Sequence, residues 1–252
     1  MRVFFTCEIV FLKREDRVLK TSSQLPLARR SFLSRLGVGL SAFGATLGGG
    51  ASTARAQSPQ EGRWQPSRHS TDDWFDQLPG KHRFFFDTTS PGAIGQAIAF
   101  ATNYFTANKS GYGLEDGDLA VVICVRHQST AFAFNDAMWA KYGAPLAERA
   151  GFTDPKTKQP PTINVYNSSA YTELANRGIT VDALIKRGVH FAVCGLSTRA
   201  NAAAIAQKTG GKADEIFAEL AAQLVGNAHL VPAGIVAVNR AQEHGYSFAY
   251  VG

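Results

Sequence analysis

Several motifs that carry familiar chemistry are missing from this sequence. The 252 residues include three cysteines, two methionines and six histidines, and none of the histidines or cysteines shows H-x3-H or C-x2-C spacing. Zinc sites commonly use such spacings, so we expect no metal. The G-x-S-x-G elbow of hydrolases is absent. Gly92-Ala-Ile-Gly95 is only a fragment of the dinucleotide-binding motif G-x-G-x-x-G, and we therefore expect no cofactor.

Residues 57–252 also lack an excess of charge of either sign. Of 26 Lys and Arg and 20 Asp and Glu, residues 1–56 contain nine and three, which leaves 17 of each sign in 57–252. This balance gives no electrostatic reason to expect a nucleic-acid partner. The apolar stretch from Leu36 to Leu47 is too short and too rich in glycine to span a bilayer, so we expect no stable membrane span.

Residues 1–56 predict a cleaved signal peptide of the twin-arginine type. Ala28-Arg-Arg-Ser-Phe-Leu-Ser34 resembles the export motif, the Leu36–Leu47 stretch follows it, and Ala54-Arg-Ala56 supplies an A-x-A cleavage site. A buried helix of the mature domain is the alternative reading of the apolar stretch, but the order of the three features favours a signal. We expect export by the twin-arginine translocase and a periplasmic location.

The remaining residues predict a lead-in at 57–80 and one α/β domain at 81–252. The lead-in is polar and is expected to be extended. Four prolines in 145–165 predict a long loop. Apolar runs predict strands at 81–87, 119–125, 189–193 and 246–251, and helices start at Pro91 and cover 132–142, 198–208, 213–224 and 235–243. This alternation indicates a three-layer α/β/α sandwich with a mainly parallel sheet.

Cys194 is the residue on which the functional prediction depends. It ends a predicted strand and precedes a helix for which Ser197 or Thr198 is the expected N-cap. Ligands of open α/β sheets bind at the carboxyl ends of strands, and a helix N-terminus favours thiolate over thiol. Cys194 is therefore a candidate nucleophile. It could instead be a buried core residue, or form a disulfide with Cys124, which otherwise packs in the core.

Polar residues at other strand ends complete the candidate site. His127 could act as a base or anion partner of Cys194, or be a hydrogen-bonded structural residue. Asp87 could orient a substrate or cap the next helix. Guanidinium groups suit the oxygens of sulfur oxyanions. The predicted substrate-binding residues are Arg126, Arg199, Asp87, Ser197 and Thr198.

Three segments resemble the DsrE-like (DsrE/DsrF, YchN-like) family. They are Cys194-Gly-Leu-Ser-Thr198, Leu230-Val-Pro-Ala-Gly234 and the ending Ala241–Val251, and the similarity covers about Arg83 to Val251. The resemblance implies a flavodoxin-like sandwich with a five-stranded sheet. It also implies assembly into trimers or hexamers and a persulfide carried by Cys194.

Two functional hypotheses follow. In the first, the exported protein binds or relays sulfur as a persulfide on Cys194, and exchanges it with a sulfur-donor or acceptor protein. In the second, it is a non-catalytic, oligomeric periplasmic protein that binds a small molecule. Its cysteines are then structural, and the proline-rich loop 145–165 covers an apolar pocket.

Overall fold

The computed structural model describes residues 65–252, so the predicted signal peptide lies outside the described residues. The described chain contains a sheet of five strands, all parallel, in the order β4-β3-β2-β1-β5. The strands are β1 (His82–Thr88), β2 (Leu119–Val125), β3 (His190–Cys194), β4 (Ala228–Val231) and β5 (Ser247–Val251). This architecture, with helices on both faces, confirms the predicted three-layer α/β/α sandwich of flavodoxin-like type.

Seven α-helices accompany the sheet within the described residues. They are α1 (Trp74–Gln77), α2 (Pro91–Tyr112), α3 (Asp136–Ala150), α4 (Val181–Lys186), α5 (Gly195–Thr209), α6 (Ala213–Ala222) and α7 (Gly234–Glu243). Short 3-10 helices cover Ser70–Asp72, Asp116–Asp118, His127–Ala133 and Val165–Asn167. Across residues 65–252, no helix has the combination of length and hydropathy needed to cross a membrane.

The strand order explains how the helices divide between the two faces. Crossovers between parallel strands are right-handed. The chain steps from β1 through β4 in one direction, so α2 to α6 lie on one face. The return from β4 to β5 runs in the opposite direction and places α7 on the other face, together with α1.

The central strand β2 shows why the sheet is stable. All seven of its residues are buried, as expected for a strand covered on both faces. Val121, Ile123 and Val125 face the larger helical layer. The alternate side chains, including Val122 and Cys124, face the layer that contains α1 and α7. The continuous apolar run of β2 therefore supplies both halves of the core.

Two predictions about the connecting segments are wrong. The proline-rich loop predicted at 145–165 begins later, because α3 continues through Pro145 to Ala150. A kink at Tyr142 restarts the helix, so Pro145 lies in a first turn where its missing N–H costs little. The predicted extended lead-in contains a 3-10 turn and α1, whose Trp74 and Phe75 are buried against the sheet.

Candidate functional site

The topology of the sheet produces a crevice between β3 and β4. The connection that leaves β3 runs into α5 on one face, and the connection that leaves β4 runs into α7 on the other face. Where neighbouring connections diverge in this way, a crevice opens beyond the carboxyl ends of the strands, and ligands bind there. Cys194 ends β3 and pairs in register with Val231, which ends β4. The topology therefore places the predicted thiol at the crevice.

The side chain of Cys194 caps α5. The helix begins at Gly195, and the backbone N–H of Ser197 points to the Cys194 sulfur at 3.4 Å. The predicted N-cap at Ser197 or Thr198 is therefore wrong, since both residues lie inside the helix. Cys194 is 5% exposed, so its sulfur is recessed and not on the open surface. The sulfur therefore accepts a hydrogen bond from the first turn of the helix.

A cavity of about 210 Å³ adjoins the thiol. Three basic residues, Arg126, His127 and Arg149, contribute to its wall, and the residues that line it include no carboxylate. The remaining wall is mostly small or apolar, and Leu196 and Ile235 are exposed. The cavity is therefore small, and its wall combines basic with apolar side chains.

Arg126 is held in place by Asp87. Its Nε and Nη2 atoms each donate a hydrogen bond of 2.8 Å to the Asp87 carboxylate, and this charged partner raises the pKa of the guanidinium. Asp87 was predicted to orient a substrate or cap a helix. It is buried and bound to Arg126, while the hydroxyl of Ser90 caps α2. Asp87 thus acts on the cavity through Arg126.

His127 lies at the rim of the cavity with a left-handed backbone. Its φ is 54°, which is uncommon for a residue other than glycine. The His127 N–H donates to the hydroxyl of Ser197 at 3.0 Å, which ties the end of β2 to the first turn of α5. The His127 side chain is exposed. The structure therefore brings His127, Ser197 and Cys194 to one cavity.

Two glycines permit the close approach of backbone segments around the thiol. A Cβ atom on Gly234 would lie 2.6 Å from Cβ and 2.8 Å from Cδ of Arg126, and 3.1 Å from the Cys124 sulfur. A Cβ atom on Gly195 would lie 2.8 Å from the carbonyl oxygen of Val231. At each position the nearest atoms lie too close to a Cβ for a larger residue to fit. The Pro-Ala-Gly turn and the start of α5 therefore require glycine because the neighbouring atoms are close, and not because the backbone must be flexible.

Cys124 is a core residue. It is fully buried on β2, and its sulfur contacts the carbonyl oxygen of Gly234 at 3.8 Å. Burial, reinforced by the negative charge of Asp87, raises the pKa of the Cys124 thiol well above its usual value. Cys124 and Cys194 are both free thiols. The alternative of a disulfide between them is therefore not what the structure contains.

Two predicted substrate-binding residues lie apart from the thiol's cavity. The guanidinium of Arg199 stacks 4.0 Å above the ring of Phe217 and lies 3.8 Å from Asp214. It lines a second cavity of about 310 Å³ on the other side of Leu196. Thr198 is fully buried, and its hydroxyl donates to the Cys194 carbonyl oxygen at 3.0 Å. Arg199 therefore pairs with α6, and Thr198 strengthens the helix start.

Arg149 is the charged cavity residue that sequence reasoning missed. It comes from the last turn of α3, in a segment that the prolines predicted to be a loop. The sequence places it far from every strand end, and no local motif marks it. Ala233 and Gly234, in a segment that the sequence marks only through the family resemblance, also line the cavity.

Fold and site together define a class of protein: a parallel α/β/α sandwich with a recessed thiol at the crevice of its sheet, beside a cavity with basic residues. Comparison of the chain with protein-family models, curated proteins and solved structures found no match. The functional conclusion therefore depends on the residues of the site.

Proposed function

We propose that the protein carries sulfur as a persulfide on Cys194. The observation that carries this proposal is the position of the Cys194 sulfur, which accepts an N–H from the first turn of α5 and adjoins a cavity with three basic side chains. The thiolate is the reactive form of a cysteine, and the basic side chains of the cavity wall would attract a negatively charged sulfur donor. The similarity of the Cys194 segment to DsrE-like proteins supports the same conclusion.

The proposed chemistry is a transfer of sulfane sulfur in two displacement steps. The Cys194 thiolate attacks the outer sulfur of a donor such as a persulfide or thiosulfate. A new S–S bond forms on Cys194, the donor's S–S bond breaks, and its electron pair leaves with a thiolate or with sulfite. An acceptor thiolate then attacks the outer sulfur, and Cys194 leaves as thiolate. Neither step requires an external oxidant.

The surrounding residues have separate roles in this proposal. Arg126 is oriented by Asp87, which leaves its Nη1 atom for a negatively charged donor or for the persulfide itself. Arg149 adds positive charge at the cavity wall. His127, at the rim, can donate a proton to a leaving thiolate. Ser197 supplies the N–H to the sulfur and holds the His127 backbone.

Intact-mass measurement tests the proposal directly. After incubation with thiosulfate or a low-molecular-weight persulfide, the protein should gain the mass of one sulfur atom, and dithiothreitol should remove it. Cys194→Ser should abolish the gain. Cys124→Ser is the matched control and should retain it, because Cys124 is buried in the core. An unmodified Cys194 with every donor, or an equal gain in the Cys194→Ser variant, would reject the proposal.

A second candidate function is binding of a small ligand without catalysis. The observation that favours it is the largely small and apolar lining of the cavity, together with the low exposure of Cys194. In that case Cys194→Ser would leave ligand affinity unchanged, whereas Ala200→Trp would fill the cavity and abolish binding. The two candidates therefore differ in their response to the loss of the thiol.

Export and assembly form part of the proposal. The twin-arginine motif at Ala28–Ser34 supports a periplasmic location after cleavage beside Ala56. The family resemblance supports assembly into a trimer or hexamer. Sulfur exchange would then take place between this oligomer and a donor or acceptor protein. N-terminal sequencing of the secreted protein and its native mass test these two points. Retention in the cytoplasm after Arg29 and Arg30 are changed to Lys would support the export route.

A further inference from the structure

A groove between α3 and α5 continues from the thiol's cavity. The groove has a volume of about 280 Å³, and the residues that line it are Pro145, Glu148, Arg149, Ala204, Gln207 and Lys208. Arg149 also lines the thiol's cavity, so the two spaces meet at its side chain. Neither space alone reaches the volume of about 300 Å³ at which ligand pockets begin, whereas the two together exceed it. The thiol's cavity is therefore one end of a longer site.

The helical repeat of α5 shows that the cavity and the groove follow one line. Leu196 and Ala200 line the thiol's cavity, and Ala204 and Lys208 line the groove. Each of these residues comes four positions after the previous one, so all of them lie along one side of the helix. From Leu196 to Lys208 the helix rises by about 18 Å. A ligand that lies along this side would extend from the thiol to the last turn of α5.

Arg149 places an uncompensated positive charge where the cavity meets the groove. Within the described chain, Glu148 is the only carboxylate that lines either space, and Lys208 binds it at 3.2 Å. Arg149 belongs to none of the ion pairs among residues 65–252. It is exposed, so a ligand can reach its guanidinium. Because a guanidinium offers two parallel N–H donors to a carboxylate, a carboxylate is the ligand group that fits this position.

The rest of the groove suits an organic molecule with amide groups. Pro145 and Ala204 are half-buried and offer apolar contact. Gln207 is exposed, and its side-chain amide both donates and accepts hydrogen bonds. An inorganic donor such as thiosulfate would occupy only the cavity beside the thiol and leave the groove empty. A short peptide-like molecule would use both spaces.

We propose that the donor which loads Cys194 is the persulfide of a small, peptide-like thiol, with a carboxylate on Arg149 and its body in the groove between α3 and α5. This inference rests on the proposed sulfur transfer and specifies its donor. The Cys194 thiolate attacks the outer sulfur of R–S–SH, and a new S–S bond forms on Cys194. The donor's S–S bond breaks, R–S⁻ leaves with the electron pair, and the transferred sulfur keeps its proton. Arg149 then determines specificity, and the groove holds the leaving thiolate.

The first experiment measures recognition without sulfur transfer. Calorimetry follows the binding of S-methylglutathione, which carries carboxylates but no transferable sulfur, to the full chain with Cys194→Ser. Adding Arg149→Gln should weaken this binding by about threefold to tenfold, a modest factor because the guanidinium is exposed to water. Lys186→Gln is the matched control. It removes one positive charge from an exposed position of α4 that lines neither the cavity nor the groove, and it should leave the affinity unchanged.

The second experiment compares two donors that differ only in their carboxylates. Intact mass follows the rate at which Cys194 gains sulfur from glutathione persulfide and from the persulfide of glutathione diethyl ester. The parent chain should load faster from the first donor, and Arg149→Gln should reduce this preference. Ala204→Phe should also reduce it, because the added ring occupies the groove. Ala203→Phe is the matched control, since Ala203 is exposed on the same helix and lines neither space.

The outcomes distinguish this inference from the proposed function. Equal loading from the two donors in the parent chain would overturn the donor assignment and leave sulfur transfer to Cys194 standing. The same conclusion would follow if Arg149→Gln and Lys186→Gln bound S-methylglutathione equally. Failure of every donor to load Cys194 would reject sulfur transfer itself. Binding that depends on Arg149 would then identify a peptide-like ligand of the site and deny it the role of sulfur donor.

Discussion

The carboxylate of Asp87 holds the guanidinium of Arg126 through two parallel hydrogen bonds, each 2.8 Å long. The pair joins the end of β1 to the residue after β2. The Asp87 side chain is 2% exposed and the Arg126 side chain 15%, so the carboxylate is removed from water almost completely. A buried carboxylate needs a charged partner to offset the cost of its removal from water. The guanidinium, in turn, needs the carboxylate to fix its orientation.

Removal of Asp87 should destabilise the fold and disturb the cavity at the same time. Asp87→Ala leaves a largely buried guanidinium without its partner, and loss of one member of a buried pair costs about 3–5 kcal/mol. Urea unfolding measures the change in free energy. Asp87→Ala combined with Arg126→Leu should recover part of the loss, because neither charge then remains buried. A double variant that is less stable than Asp87→Ala would contradict this account.

Gly234→Ala should destabilise the fold, because the added Cβ would lie too close to the Arg126 side chain. The new Cβ would lie 2.6 Å from Cβ and 2.8 Å from Cδ of Arg126, so the side chain that Asp87 holds must move. Overpacking of this kind costs about 1–3 kcal/mol. Gly92→Ala is the matched control, because nothing lies within 4 Å of a Cβ there. It should be neutral or stabilising by about 0.4–1 kcal/mol, since alanine restricts the unfolded chain. Equal urea midpoints for the two variants would disprove the contact argument.

The features predicted correctly from the sequence are those set by local pattern. The apolar run Leu119–Val125 predicted a central strand, and all seven of its residues are buried. The proline start predicted α2, which begins at Pro91 and ends before its C-cap Gly113, whose φ is 66°. The position of Cys194 at a strand end followed from the same reasoning. Patterns within one segment carry this information without reference to the rest of the chain.

The features missed are those created by contacts between distant segments. The segment between Asp87 and Arg126 contains all of α2, so the sequence gives no sign that they form a pair. Arg199 looked like a neighbour of the thiol because it follows five residues later, but the helical rotation of α5 turns it towards Phe217. The N-cap prediction failed because the cap is Cys194, and cysteine is outside the usual set of capping residues.

The two thiols of the described chain should differ in reactivity. Burial and the charge of Asp87 raise the pKa of Cys124, which is inaccessible on β2, whereas Cys194 adjoins a cavity. Brief alkylation with iodoacetamide at neutral pH, followed by peptide mapping, should label Cys194 and leave Cys124 unlabelled. In denaturant both should react. Arg126→Gln should slow the labelling of Cys194, because it removes a positive charge from the wall of the cavity beside the thiol.

Labelling at Cys124 in the native protein would show that β2 opens more readily than its burial suggests. Protection of both thiols would show that Cys194 is closed off from its cavity, and would favour the ligand-binding function over sulfur transfer. Ser129→Ala serves as a control for Arg126→Gln. Its hydroxyl accepts from the Arg126 N–H at 3.0 Å, so it perturbs the same turn without changing the charge.

His229 should make the stability of the fold sensitive to acid. Burial, and then the charge of His190, lowers its pKa from 6.5 to about 4, so the unfolded chain binds a proton more readily than the folded chain between these values. Its contribution is therefore complete above about pH 6.5 and is lost as the pH falls towards 4. The loss is at most about 3 kcal/mol, and less because the ring is partly exposed.

Urea unfolding at pH 7 and pH 5, with a chelator present, should show a smaller fall in stability for His229→Gln than for the parent. Carboxylates with lowered pKa values, such as Asp116, titrate equally in both proteins and cancel in the comparison. An identical fall in the two proteins would mean that folding does not lower the pKa of His229, and would contradict the burial argument.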